Sequence, residues 1–146
     1  MESILYLSFI FVFIFGTLIG SFLNVVVARY QSGLRFSGRS KCFSCGKTLS
    51  WSELFPLLSF MLQKGRCKTC KSSISWQYPI IELLTGLVFL SLFVKFFVIE
   101  HAVYGLSVIP VTTYVPTVYF FYSLFVASLL IVISAYDFKH SIIPND

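Results

Sequence analysis

The chain has 146 residues, 57% of them hydrophobic and only 12% charged, with a formal net charge of +5. Soluble domains carry about a quarter charged residues, so this composition excludes an ordinary water-soluble domain, and the length excludes two of them. It predicts an all-α integral membrane protein with about three transmembrane helices.

The first predicted span, residues 4–27, is uncharged and longer than the roughly 20 residues a bilayer requires. A cleaved signal peptide fits it poorly, because the chain opens Met-Glu-Ser without a basic n-region and the apolar run is too long. Gly16 and Gly20, four residues apart, predict a small-xxx-small face for another helix. We take 1–28 as this first helix.

Residues 29–79 form a predicted loop that holds nine of the eleven basic residues (Arg29, Arg35, Arg39, Lys41, Lys47, Lys64, Arg66, Lys68 and Lys71) and one acid, Glu53. The positive-inside rule puts such a loop in the cytoplasm and the amino terminus outside. Cations beside a membrane meet anionic lipid headgroups first, so membrane lipid is the expected partner and nucleic acid is not.

Within the loop, Cys42 and Cys45 form one C-x-x-C unit, and Cys67 and Cys70 form a second. Each such turn lets two thiolates converge, and two turns complete a tetrahedral four-cysteine zinc shell. Gly46 suits the tight backbone behind the first pair, and the surrounding cations suit a doubly negative zinc tetrathiolate. A closed shell of this kind is structural, a zinc-ribbon-like core for a loop too polar to build its own. Two other readings stand beside it, a pair of disulfides and four unligated thiols; a cytoplasmic location argues against disulfides. Residues 49–62, apolar and aromatic, are expected to press on the membrane surface or on the helices. Trp51 and Trp76 are expected to pack.

The second predicted span, residues 80–98, carries Glu82 near its start and Lys95 near its end. Glu82 either pairs with a loop cation or serves a polar cavity. Residues 100–116 read as an external connection broken by Gly105, Pro110 and Pro116, with Tyr104 and Tyr114 suited to the interface. The third span, 117–136, ends at Asp137. An acid at that depth is a functional candidate; the alternative is a helix-end carboxylate facing water. The tail after Asp137 is expected to leave the helix, ended by Pro144. This divides the chain into 1–28, the loop 29–79, the two spans over 80–136, and a last piece, 137–146.

Several segments together resemble the type IV prepilin peptidase family. They are Gly20-Ser-Phe-Leu-Asn24, Arg39-Ser-Lys-Cys42-Phe-Ser-Cys45, Leu49-Ser-Trp51, Gly65-Arg-Cys67-Lys-Thr-Cys70, Tyr78-Pro-Ile-Ile-Glu82, and Asp137 with Ile143-Pro144 beyond it. Their order and spacing are far more specific than any one of them. The resemblance implies a bifunctional enzyme of the bacterial inner membrane. Such enzymes cleave the leader peptide of prepilins and pseudopilins, and then methylate the new amino terminus from S-adenosylmethionine. It implies that the cysteine loop belongs to the methyltransferase region, with Glu82 a candidate near the methyl-transfer site. It further implies that Asp137 is one of two catalytic aspartates of an intramembrane aspartic protease.

The family's second aspartate lies in Gly-x-Gly-Asp, which these 146 residues do not contain, and Asn145 stands where the family often has aspartate. The sequence therefore reads as an amino-terminal part with a carboxy-terminal half missing, inactive as a peptidase by itself. Two rival readings are a non-enzymatic zinc-ribbon membrane scaffold and a methyltransferase acting on pilins cut by another enzyme.

Overall fold

The computed structural model describes residues 2–32, 38–99 and 111–140. It contains three long helices: α1 (Glu2–Ser32), α3 (Gln77–Phe93, widening into a π-type turn over Val94–Ile99) and α4 (Val111–His140). The short α2 (Leu58–Leu62) and a single 3-10 turn (Trp51–Glu53) lie in the connection between α1 and α3. Among the described residues there is no strand, only two isolated antiparallel bridges. Ser3–Tyr30, Gln77–Phe97 and Thr117–Asp137 are each long and apolar enough to cross a membrane, as the composition predicts.

The outward faces stay apolar: Ile4, Leu7, Phe11, Phe121 and Phe125 are all exposed. Such faces suit hydrocarbon, where a helix satisfies its own backbone and needs no polar side.

Two element ends differ from expectation. α4 starts at Val111 and runs through Pro116, although that proline predicts a break in this stretch. Proline forgoes one backbone bond, a loss a long helix absorbs near its amino end. α4 also continues past Asp137 to His140, where the sequence predicts that the chain leaves the helix. The remainder of the expected connection, 100–110, and of the expected tail, 141–146, lies outside the described residues.

α1 and α3 are antiparallel and in close contact. Gly16 and Gly20 are the reason: a Cβ on Gly16 would lie 2.8 Å from Gly86 Cα, and one on Gly20 2.9 Å from Glu82 Cα. The small-residue face predicted for α1 is thus real, and it includes Thr17, with Gly86 and Thr85 opposite on α3. Helix association within lipid depends on such packing and on interhelical hydrogen bonds, since lipid is as apolar as leucine. One such bond runs from Asn24 Nδ2 to the Tyr78 carbonyl, at 3.0 Å.

α3 begins where the Ser75 hydroxyl accepts the Gln77 N–H, 3.2 Å away. Pro79 falls in its first turn, where a missing N–H costs no helix bond. α4 packs more loosely. Val27, Ile81 and Ala135 form a small core with Ile131 and Val132 at the loop-bearing end. At the other end Phe93, Phe96 and Phe97 surround Phe120 in edge-on contacts.

Candidate metal centre and adjoining cavity

The two C-x-x-C units fold as near copies of one turn. In the first, Gly46 N–H donates to the Cys42 carbonyl and Cys42 N–H to the Lys47 carbonyl, each at 2.9 Å. In the second, Lys71 N–H donates to the Cys67 carbonyl at 3.1 Å and Cys67 N–H to the Ser72 carbonyl at 2.9 Å. A bridge closes each turn, Lys41 with Thr48 and Arg66 with Ser73. The residue four after the leading cysteine is left-handed in both: Gly46 at φ 70° and Lys71 at φ 59°. Glycine adopts that geometry freely, as expected of Gly46, whereas lysine holds it at a cost of about 1 kcal/mol.

The turns bring the sulfurs of Cys42, Cys45, Cys67 and Cys70 within 4.8 Å of one another, and no disulfide joins them. Cys42 and Cys70 Sγ are 3.8 Å apart. With Zn–S bonds of about 2.3 Å, a tetrahedral ion needs sulfur–sulfur edges of roughly 3.8 Å, so the cluster has the dimensions of a zinc shell. Cys67 is buried, while Cys45 and Cys70 sit at the surface.

The local donors prepare the thiols unequally. Cys42 is held down to about 6 by the amides of Cys45 and Ser44, with the Ser72 hydroxyl assisting. The Ser72 hydroxyl and amide likewise lower Cys70. The Lys47 amide pulls Cys45 down too, but desolvation and the sulfurs of Cys70 and Cys42 outweigh it and push this thiol up to about 11. A group of thiols that cannot all ionise together is one a divalent cation would complete. Ser72, whose hydroxyl lies 3.1 Å from Cys70 Sγ and 3.7 Å from Cys42 Sγ, is a site residue that the sequence reading misses. Its position two residues after Cys70 is the only signal it leaves there.

Between the cysteine pairs, Glu53 caps the 3-10 turn. Its carboxylate accepts the N–H and hydroxyl of Ser50, both at 2.8 Å, and the Lys47 ammonium at 3.2 Å. These donors, led by the Ser50 amide, hold Glu53 down to about 2. Trp76 makes one edge-on contact with Phe60, ring centroids 4.9 Å apart, but is 70% exposed, against the expectation that it packs. Trp51, also expected to pack, is instead 87% exposed, together with Leu54, Phe55, Leu58, Met61 and Leu62.

Glu82 projects from α3 and is 8% exposed. Its Oε2 accepts the Leu57 N–H at 2.8 Å, which fixes the start of α2 against the helix pair, and the Ser21 hydroxyl also bonds it. Of the two roles expected of Glu82, the structure has the polar cavity; among the described residues no lysine or arginine pairs with it. The cavity, about 850 Å³, lies between the ends of α1 and α3 and the cysteine module. Ser21, Asn24, Tyr78 and Glu82 line it toward the helices, and Arg29, Arg39 and Lys41 toward the module.

Asp137 lies at this same end of the bundle. Its neighbour Tyr136 packs on Tyr30 near the end of α1, centroids 5.7 Å apart, and Gln77 Nε2 reaches the Ala135 carbonyl at 3.4 Å. Asp137 itself is exposed and outside the cavity lining.

Helices of membrane-spanning length that carry a tetrathiol module on the α1–α3 connection define a membrane protein with a metal-capable loop. The model of the bacterial peptidase A24 N-terminal domain matches residues 14–96, and the chain belongs to that family. A prepilin leader peptidase/N-methyltransferase of Bacillus subtilis is 34% identical over 134 residues, covering 91% of this chain and 47% of its own. The protein of that description in Vibrio cholerae is 32% identical over 151 residues, covering 96% and 52%. One in Myxococcus xanthus is 47% identical over 90 residues, covering 60% and 26%. The chain thus spans between about a quarter and half the length of these relatives. No solved structure matches it.

Proposed function

We propose that this chain serves prepilin or pseudopilin maturation in the bacterial inner membrane, with the amino terminus outside and the cysteine module, cavity and Asp137 at the cytoplasmic face. The observation that carries this reading is the gathering of those three features at one end of the bundle, in a chain whose relatives are named for leader cleavage and N-methylation.

Cys42, Cys45, Cys67 and Cys70 would hold one zinc ion. Bound there with all four positions filled, zinc would organise the loop and would not activate water. The loop's own residues then act as a platform: Glu53 fixes the turn after the first pair, and the Glu82–Leu57 bond ties the platform to α3. The exposed Trp51, Leu58, Met61 and Leu62, continuous with the spanning helices and flanked by lysines and arginines, would rest in the lipid headgroup layer. Residues 29–79 would form the methyl-transfer region, with S-adenosylmethionine as donor, and residue 137 would begin the peptidase region.

Peptide hydrolysis by carboxylates needs one ionised member to activate water and one protonated member to polarise the carbonyl. Asp137 would be one of that pair. Glu53 is engaged by Lys47 and Ser50, and Glu82 lies in the separate cavity, so the second carboxylate is expected from a Gly-x-Gly-Asp segment that these residues do not hold.

The test uses membranes containing the chain with labelled S-adenosylmethionine, a processed pilin and an intact prepilin. Label is expected on the amino terminus of the processed pilin. Cys42→Ser and Cys67→Ser are expected to lose both the label and about one zinc per chain. The intact prepilin is expected to stay uncut. No label on pilin would contradict the methyl-transfer reading, and cleavage abolished by Asp137→Ala would contradict the need for a second carboxylate from elsewhere.

A further inference from the structure

The two cysteine turns share one plan, and it continues past the cysteines. Leu49 N–H donates to the Ser40 carbonyl at 2.8 Å, and Ile74 N–H to the Gly65 carbonyl at 2.7 Å. A tryptophan, Trp51 or Trp76, then follows each turn at the same distance. Lys47 and Ser72 therefore hold one equivalent position. Their backbones do the same work: each carbonyl takes the N–H of the leading cysteine, and each amide supports the second sulfur of its own pair, Cys45 or Cys70. Their side chains do not. The Lys47 ammonium is engaged by Glu53 at 3.2 Å. The Ser72 hydroxyl stays over the sulfurs, 3.1 Å from Cys70 Sγ in its own turn and 3.7 Å from Cys42 Sγ in the other. Among the described residues it is the one side chain besides the cysteines that hydrogen-bonds a sulfur of each pair.

We propose that Ser72 is a positioning residue for the metal centre: its hydroxyl links Cys70 to Cys42 across the two turns and holds that pair of sulfurs at the spacing a metal ion needs. The proposal rests on reading the four cysteines as a zinc shell. A metal-bound thiolate carries no proton, so a hydroxyl beside it can only donate. The single hydroxyl proton serves Cys70 chiefly, with Cys42 on the longer arm of a shared bond. Cys42 and Cys70 Sγ stand 3.8 Å apart, close to the edge of a tetrahedral zinc–sulfur shell. Two thiolates at that distance repel, and a donor shared between them offsets part of the repulsion. It does so where little else can, because Cys70 is exposed and Cys42 only half-buried. Hydrogen bonds to metal-bound ligands fix their orientation and electron density, and losing one costs about 10–100-fold in metal affinity. Water reaches Cys70 and replaces part of the lost bond, so the lower end of that range is expected.

Ser72→Ala removes the hydroxyl but leaves the amide and carbonyl, so the turn should keep its shape. Ser72→Thr keeps a hydroxyl and is the rescue variant. The native chain and both variants, purified in lipid nanodiscs with thiols reduced, would be titrated with zinc against a chelator of known affinity. They would then be titrated with cobalt(II), whose thiolate-to-metal absorption reports on the sulfur electrons. Ser72→Ala is expected to bind zinc about tenfold more weakly than the native chain. Its cobalt band is expected at longer wavelength, because a thiolate that has lost a hydrogen bond gives up electron density more readily. Ser72→Thr is expected to restore both. An unchanged zinc affinity or an unshifted cobalt band in Ser72→Ala would overturn the proposal. So would a Ser72→Thr chain as weak as Ser72→Ala, which would assign the loss to packing. If Ser72→Ala melted early even with zinc, the cobalt band would decide, since looser packing alone leaves its wavelength in place. A shifted band then supports the proposal and an unshifted one overturns it. A native chain that took up neither metal would overturn the zinc reading and this proposal together, whereas equal zinc binding by the native chain and Ser72→Ala would overturn this proposal alone.

Discussion

Glu53 and Glu82 are both buried acids in the same region, and their surroundings treat them in opposite ways. Glu53 collects three donors from Ser50 and Lys47 and stays ionised down to about 2. Folding therefore favours the deprotonated form. The stability this adds is complete above about 4.5 and is lost as pH falls toward about 2. Glu53→Gln is expected to lower the melting temperature of the chain at neutral pH. Its deficit relative to the native chain should shrink as acid is added through that window, a comparison that cancels metal loss common to both. A deficit independent of pH would mean that the carboxylate's charge does not matter. Glu82 has no lysine or arginine paired with it among the described residues and is held by the Leu57 amide and the Ser21 hydroxyl instead.

At the scale of elements, the α1–α3 pair depends on glycines that let two backbones meet. A Cβ on Gly20 would be 2.9 Å from both Glu82 Cα and Thr85 Oγ1. Gly20→Leu must push α3 away, at a cost of about 1–3 kcal/mol for an overpacked contact, and it would open the cavity that Ser21 and Glu82 line. A lower melting temperature in detergent is expected, and an unchanged one would mean the helices are not held at this distance. This contact is legible in the sequence because Gly16 and Gly20 sit on one helix face in an otherwise bulky run. The cysteine cluster is legible because the spacing of two residues within each pair forces a turn. The rest of the site is not, for a physical reason. The bonds from Leu57 to Glu82 and from Gln77 to Ala135 join residues far apart in the chain, and no local period marks such partners. Pro116 misleads for a related reason: a proline argues against a helix locally, and only the long apolar run behind it outweighs one lost bond. The exposure of Trp51 fits the proposed placement of this face in the headgroup layer, which no local sequence period marks.

For the whole molecule, an up-down-up bundle brings the end of α1, the start of α3 and the end of α4 to one side. Tyr30 against Tyr136 and Asn24 against Tyr78 are the contacts that fix this arrangement. The charge distribution then makes the sidedness a definite expectation. The α1–α3 connection is strongly basic, whereas Lys95, over the Phe96 ring, is the one described lysine or arginine at the opposite end. The central claim is that the thiol module, the Glu82 cavity and Asp137 all face the cytoplasm. Labelling with a membrane-impermeant maleimide in spheroplasts tests it most directly, comparing Ser3→Cys and Lys68→Cys with the native chain as background. Reaction at position 3 in intact spheroplasts, and at position 68 only after permeabilisation, is the predicted result. Reaction at position 68 in intact spheroplasts would contradict it.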